Sequence, residues 1–372
     1  MTWLGVFRGL CSLWIVYYHL YTPYLYRKLP LNDVSSFYRI LQGHLSEGLE
    51  TFPAIALFLH DIIAGMSMQA VGGFILLSGF GLTRSLLHRS QEAGFRWKGW
   101  YRIRFWRLYP TFWFAHLIFL TAPWVAQLEP IDWRFWVSLT GIRAYPMESI
   151  LFYGNASWWF FWLVLQLYAV FPLLWWSLRK LGAEKFAIMI ILLNLVSRWW
   201  ILYELQDWRG MIIGGLFLSR IGEFGMGMVL AIVWKRDPEN FSKKLIGWRP
   251  FCFGFILYGI GLYCYSSLFS YLFVDLVATC GFCLLFIQIA HLLGKIKLLA
   301  RFLIFAGTVS LSTFLLHQPW AITLGRYLRD EEWWVFAFAT LLFLPTMVLV
   351  AWGSEKIVNF IKSKWTSPAR AS

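Results

Sequence analysis

Ten stretches of about 18 to 24 mostly apolar residues follow one another along this chain, and that pattern leaves few ways to fold. They run Trp3–Tyr21, Ser67–Leu87, Phe105–Ala126, Ser157–Leu178, Phe186–Tyr203, Ile212–Trp234, Phe251–Phe269, Tyr271–Leu293, Phe302–Gly325 and Trp333–Ala351. A bilayer-spanning helix needs about 20 such residues, because the hydrocarbon core is about 30 Å thick. Backbone polar groups in lipid must be paired within the segment, so these continuous runs read as helices. A membrane β-barrel would show alternating segments of about 10 residues instead. The expected fold class is therefore all-α, a polytopic membrane protein of about ten transmembrane helices. Composition agrees: 59% of residues are hydrophobic, 20% aromatic and 14% charged, against about 25% charged in soluble domains. A soluble multidomain protein, a disordered chain and a disulfide-rich scaffold are excluded. One further stretch, Phe52–Ile63, is apolar but short and carries His60 and Asp61 near its end. It reads as a re-entrant or interfacial segment, not an eleventh span.

The net charge of +14 must then be placed. Lys and Arg collect in cytoplasmic loops. With both termini cytoplasmic, the inner set holds 23 basic and 5 acidic residues, and the remainder holds 10 basic and 14 acidic. Every inner loop obeys the rule, which favours an even number of spans. The surplus reads as topology, not as a nucleic-acid partner. A single transmembrane domain is expected over 1–357, with a short basic cytoplasmic tail at 358–372 and no cleavable signal peptide. The expected location is a cell membrane. The five cysteines fall within the expected spans, and the Cys280–Cys283 pair reads as buried apolar thiols.

Ionisable residues inside spans are functional candidates. In the first span, Arg8 and His19 are eleven residues apart. At about 100° per residue they share one helix face. Arg8 could equally be a snorkelling anchor, and His19 an interfacial histidine. The second span carries Gly72, Gly73, Gly79 and Gly81 with Ser78, a close-packing surface. Next, Arg102, Arg104 and Arg107 approach the membrane among Trp and Tyr. They could anchor the helix, bind phosphate bidentately or meet anionic lipid. The ninth span ends in His317, Gln318 and Pro319, with Ser310 and Thr313 one to two turns earlier. A histidine there could act as a base or be structural. There is no HxxxH or carboxylate cluster with ligand spacing, so no metal is expected.

Taken in order, these pieces resemble the acyltransferase-3 family of integral-membrane O-acyltransferases. The resemblance rests on Arg8, Gly9 and His19; on Leu77, Ser78, Gly79 and Phe80; and on Arg104, Arg107, Leu108 and Pro110. It continues through Trp159, Gln166, Tyr168 and Pro172, then Glu223, Phe224 and Gly227, and ends on Ser310, Leu311, Leu316, His317, Gln318 and Pro319. Each motif is weak alone, but the ordered set spans about 310 residues. The chain departs from the pattern at Gly5, where many members carry Asp, and at Val164 and Leu165, where many carry acids. It resembles the stand-alone branch, without an appended extracytoplasmic hydrolase-like domain.

The resemblance implies transfer of an acyl group, commonly acetyl, from cytoplasmic acyl-CoA to a hydroxyl of a cell-envelope or exported polysaccharide or glycolipid. His19 is the expected base or acyl carrier, with Arg8 orienting it and His317 on the acceptor side. Arg102, Arg104 and Arg107 are expected to hold the CoA phosphates. Ser78, Trp159, Gln166, Tyr168, Glu223, Ser310 and Gln318 are expected to line the substrate pocket. A polytopic transporter or flippase is the rival class, since it too would bury Arg and His along a pathway. The inverted repeats common in such folds are not seen.

Overall fold

The computed structural model describes residues 2–25, 42–43, 45–46, 51–89, 96–121, 131–144, 147–205 and 210–366. Residues 122–126 of the expected third span and 367–372 of the tail lie outside this set. Among the described residues the chain is helical and contains no strand.

The principal helices are α1 (Thr2–Leu25), α2 (Thr51–Gly65), α3 (Ser67–Arg89), α4 (Trp97–Thr121), α5 (Trp133–Leu139), α6 (Trp159–Tyr203) and α7 (Ile221–Arg236). They continue with α8 (Pro238–Leu245), α9 (Trp248–Tyr263), α10 (Val274–Leu293), α11 (Lys297–Thr308), α12 (Ser310–Tyr327) and α13 (Trp333–Thr366). Side chains such as Leu173, Ile188, Val196, Phe255, Ile256 and Leu341 are exposed on helix surfaces. Apolar residues on the outer faces of long helices are what a lipid-facing surface requires.

Five helical runs are long and apolar enough to cross a bilayer, and counting each of two bent pairs as one span gives seven. The difference from the expected ten has a physical origin. Helices α1 and α4 carry arginines and many Trp and Tyr rings, which lower their apolarity. Residues Ala156–Tyr203 hold two expected spans in one 48-residue run. At about 1.5 Å per residue that run far exceeds a bilayer, and it bends at Gly182, whose φ of 78° is left-handed. The segment around Phe52–Ile63 is helical and continues through Met66 into α3 as one apolar run of 34 residues. The expected single span Phe302–Gly325 is corrected: it is two helices, α11 and α12, bent by 85° at Val309.

Helix α1 is the centre of the bundle, touching α2, α3, α10, α11, α12 and α13. Its Val6, Phe7, Cys11, Val16, Leu20 and Tyr21 are fully buried. Glycine makes the close crossings. A Cβ on Gly9 would overlap the Leu303 carbonyl of α11, and one on Gly79 would overlap the Phe224 carbonyl of α7. Reciprocally, Gly227 of α7 admits the Leu76 carbonyl of α3. Small residues let helices approach where no hydrophobic force draws them together in lipid. Replacing Gly79 with Val is expected to destabilise by about 2–3 kcal/mol, read as a lower melting temperature in detergent. Outside the spans, Asp237 caps α8 by accepting from the Asn240 backbone and amide at 3.1 and 2.6 Å. Those bonds hold its carboxyl below the usual range. The five cysteines are free thiols; Cys283 is buried and Cys280 half-buried.

Candidate active site

The break at Val309 gives the site its geometry. Val309 leaves helical backbone at φ −95°, ψ 11°, so α12 starts afresh at Ser310. Its first turn faces a cavity of about 540 Å³ lined in part by Arg8, Arg84, Arg104 and Arg107 with Ser78, Tyr168 and Ser310. Arg8 donates from Nε to Ser310 Oγ at 3.0 Å, tying α1 to the start of α12. Arg84 lies over the Trp234 ring at 4.4 Å and Arg104 over Trp100 at 5.3 Å. Such stacking orients a guanidinium without neutralising it. Among the described residues no carboxylate lines this space. Four arginines and a helix N-terminus, whose amides carry partial positive charge, give it a strongly positive lining.

The second centre lies beyond Phe314, which lines the cavity and stands 5.7 Å from the His317 ring. Here the His19 and His317 rings are 5.0 Å apart. A chain of bonds starting at Pro319 builds this pair. Proline has no N–H, so the Leu315 carbonyl four residues back loses its helical partner. Asn155 Nδ2 and Trp158 Nε1 donate to it at 3.1 and 2.9 Å, docking residues 155–158 against α12. That places the Ser157 backbone N–H 2.6 Å from Gln318 Oε1. The other end of the same amide reaches His19 Nδ1 at 3.5 Å. The His-Gln-Pro triplet is therefore tied through one set of contacts to residues 155–158 and to His19.

The structure thus brings Arg8, Arg104, Arg107, Ser78, Tyr168 and Ser310 into one cavity, and His19, His317 and Gln318 into one adjoining pair. It leaves Arg102, Trp159, Gln166 and Glu223 outside the cavity lining. Arg102 precedes Arg104 by two residues, and residues two apart point to different helix faces. Trp159 packs beside Gly214; its neighbour Trp158 is the one that meets α12. Gln166 bridges the Gly215 carbonyl and the Phe217 amide, both at 3.1 Å, and holds the irregular turn ahead of α7. Glu223 joins a buried ionic cluster: Arg220 lies 3.0 Å from it and 2.6 Å from Asp275, which also pairs with Arg198. Breaking a buried ion pair leaves an uncompensated charge. Asp275→Asn is expected to cost about 3–5 kcal/mol, measured as a fall in thermal stability in detergent.

Sequence reasoning missed Arg84, Asn155, Ser157 and Trp158. Arg84 was legible in one respect: Leu77, Gly81 and Arg84 follow the i, i+4, i+7 spacing of one helix face, and all three line the cavity. Asn155 and Ser157 precede α6 in an irregular segment, where no periodicity marks them.

The bundle and its cavity define a helical membrane protein with an arginine-lined interior beside a histidine pair. A comparison with protein families matches residues 1–352 of the chain to the acyltransferase domain. The chain belongs to that family, acyltransferase-3, and is a membrane acyltransferase. No curated protein and no solved structure matches it.

Proposed function

We propose that this protein moves an acyl group, commonly acetyl, from cytoplasmic acyl-CoA to a hydroxyl of a cell-envelope or exported polysaccharide or glycolipid. The observation that carries this reading is the separation of charge from chemistry along α1. Arg8 lies in the arginine cavity and His19 in the histidine pair, eleven residues on, or about 16 Å along a helix. Acyl-CoA has that layout: phosphates at one end, and a thioester at the tip of a long flexible arm. The cavity suits the phosphates. Phe314 marks where the arm would pass toward the histidines. His19, half-buried, serves as the base that strips the acceptor hydroxyl's proton as it attacks the acyl carbon. Arg8 fixes the start of α12, and Arg84, Arg104 and Arg107 hold the donor.

Mass spectrometry of surface glycans from cells with and without the protein tests the reading. The expected result is a mass difference of one acyl group per modified sugar, lost on mild alkaline treatment. Identical glycan masses would contradict it.

A further inference from the structure

The two histidines are held in opposite tautomers, and the reason is geometric. Backbone carbonyls only accept, and His317 Nδ1 faces two of them, Thr313 at 3.1 Å and Phe314 at 2.9 Å. In the neutral ring, Nδ1 must carry the proton and Nε2 is bare. That Nε2 is buried and has no hydrogen-bond partner among the described residues. A backbone N–H only donates, so the Gln318 atom facing Ser157 is the oxygen, at 2.6 Å. The amide nitrogen then faces His19 Nδ1 at 3.5 Å and can only donate to it. The proton of neutral His19 is therefore on Nε2. One ring offers an N–H and the other a bare nitrogen, with centroids 5.0 Å apart.

We infer that His317 is a positioning residue that works through His19, its bare Nε2 accepting from His19 Nε2–H when the acceptor hydroxyl is deprotonated. This rests on the acyl-transfer reading above. In the step, the acceptor hydroxyl displaces the long Gln318 contact from His19 Nδ1, and its proton passes to that nitrogen as the oxygen forms its bond to the thioester carbon. The carbon–sulfur bond breaks, and the departing thiolate takes the proton back from His19. His317 gains and loses nothing. It stabilises the transient imidazolium of His19, and its own Nδ1–H stays anchored on α12 carbonyls. Catalytic hydrogen bonds are often long before substrate binds. His317 is the charged-capable group facing His19 from α12. From α2, His60 faces Tyr17 and Tyr21, and Asp61 bonds to Tyr21. Arg107 and Glu355 act on Arg8, about three turns away.

The test uses purified full-length protein, labelled acetyl-CoA and a glycan extract of the source cell. His317→Leu is expected to lower kcat about 100-fold with donor affinity unchanged. It should also move the acid limb of the pH–kcat profile about one to two units lower, because His19 becomes harder to protonate. In His317→Gln the side-chain oxygen replaces the acceptor, so the limb and most of the rate should return. An unmoved limb in the Leu variant, or a Gln variant as poor as Leu, overturns the inference while leaving acyl transfer intact. If the Leu variant fails to bind donor, ¹⁵N-imidazole NMR of the wild type decides. Protons on His317 Nδ1 and His19 Nε2 support the pairing, and any other tautomers overturn it. Wild-type protein that transfers no acyl group overturns the functional reading instead, and the NMR result still judges the pair.

Discussion

His19→Ala is expected to abolish acyl transfer while leaving the protein folded in the membrane. A positioned general base contributes about 10²–10⁴-fold to rate, and His19 is the histidine of the pair that is not fully buried. Fold loss is not the expected cause. The α1 residues that knit the bundle are Val6, Phe7, Cys11, Val16, Leu20 and Tyr21, and His19 has one long polar contact, with Gln318. The check is initial rate beside donor affinity on the same preparation. Lost turnover with intact donor binding is the expected pattern, and full turnover would remove His19 from the chemistry.

Neutralising the cavity should do the opposite. Arg104→Gln and Arg107→Gln are each expected to raise the KM for acyl-CoA by about 10- to 100-fold, the worth of a charge-assisted hydrogen bond. Turnover at saturating donor should change little, because both side chains line the arginine cavity and the base is His19. Arg84→Gln should behave the same way, since it lines the same cavity. Arg102→Gln is the internal control. It lies on the same helix but not in the cavity, so the KM should hold. A uniform loss across all four variants would point to membrane anchoring, not donor binding. The effect should also weaken as salt rises, since the cavity opens among exposed arginines.

These expectations show what the sequence could and could not convey. Fold class was legible because apolar length is a one-dimensional property, and Arg8 and His19 shared a face by simple helical phase. The cavity arginines were half legible. Arg104 and Arg107 are three apart and face together, but run length alone could not separate them from Arg102. The bend at Val309 was invisible because residues 302–325 carry no charge and no proline or glycine at the break itself. Just before the break, α11 crosses α1 closely at Gly9, a long-range contact that no local pattern announces. Trp159 was chosen over Trp158 for the same kind of reason. A one-residue offset on an aromatic-rich segment is decided by which indole meets the carbonyl that Pro319 frees. Glu223 and Gln166 were expected in the substrate pocket, but their partners are Arg220, Gly215 and Phe217, which come together only in three dimensions.

Acyl transfer itself is measured by incubating purified protein in lipid vesicles with acyl-labelled acetyl-CoA and envelope glycan, and following the label. Label is expected on the glycan as an alkali-labile ester, with one free CoA released per acyl group transferred. Glycan that crosses the vesicle membrane without gaining label, or acetyl-CoA that stays intact, would contradict it.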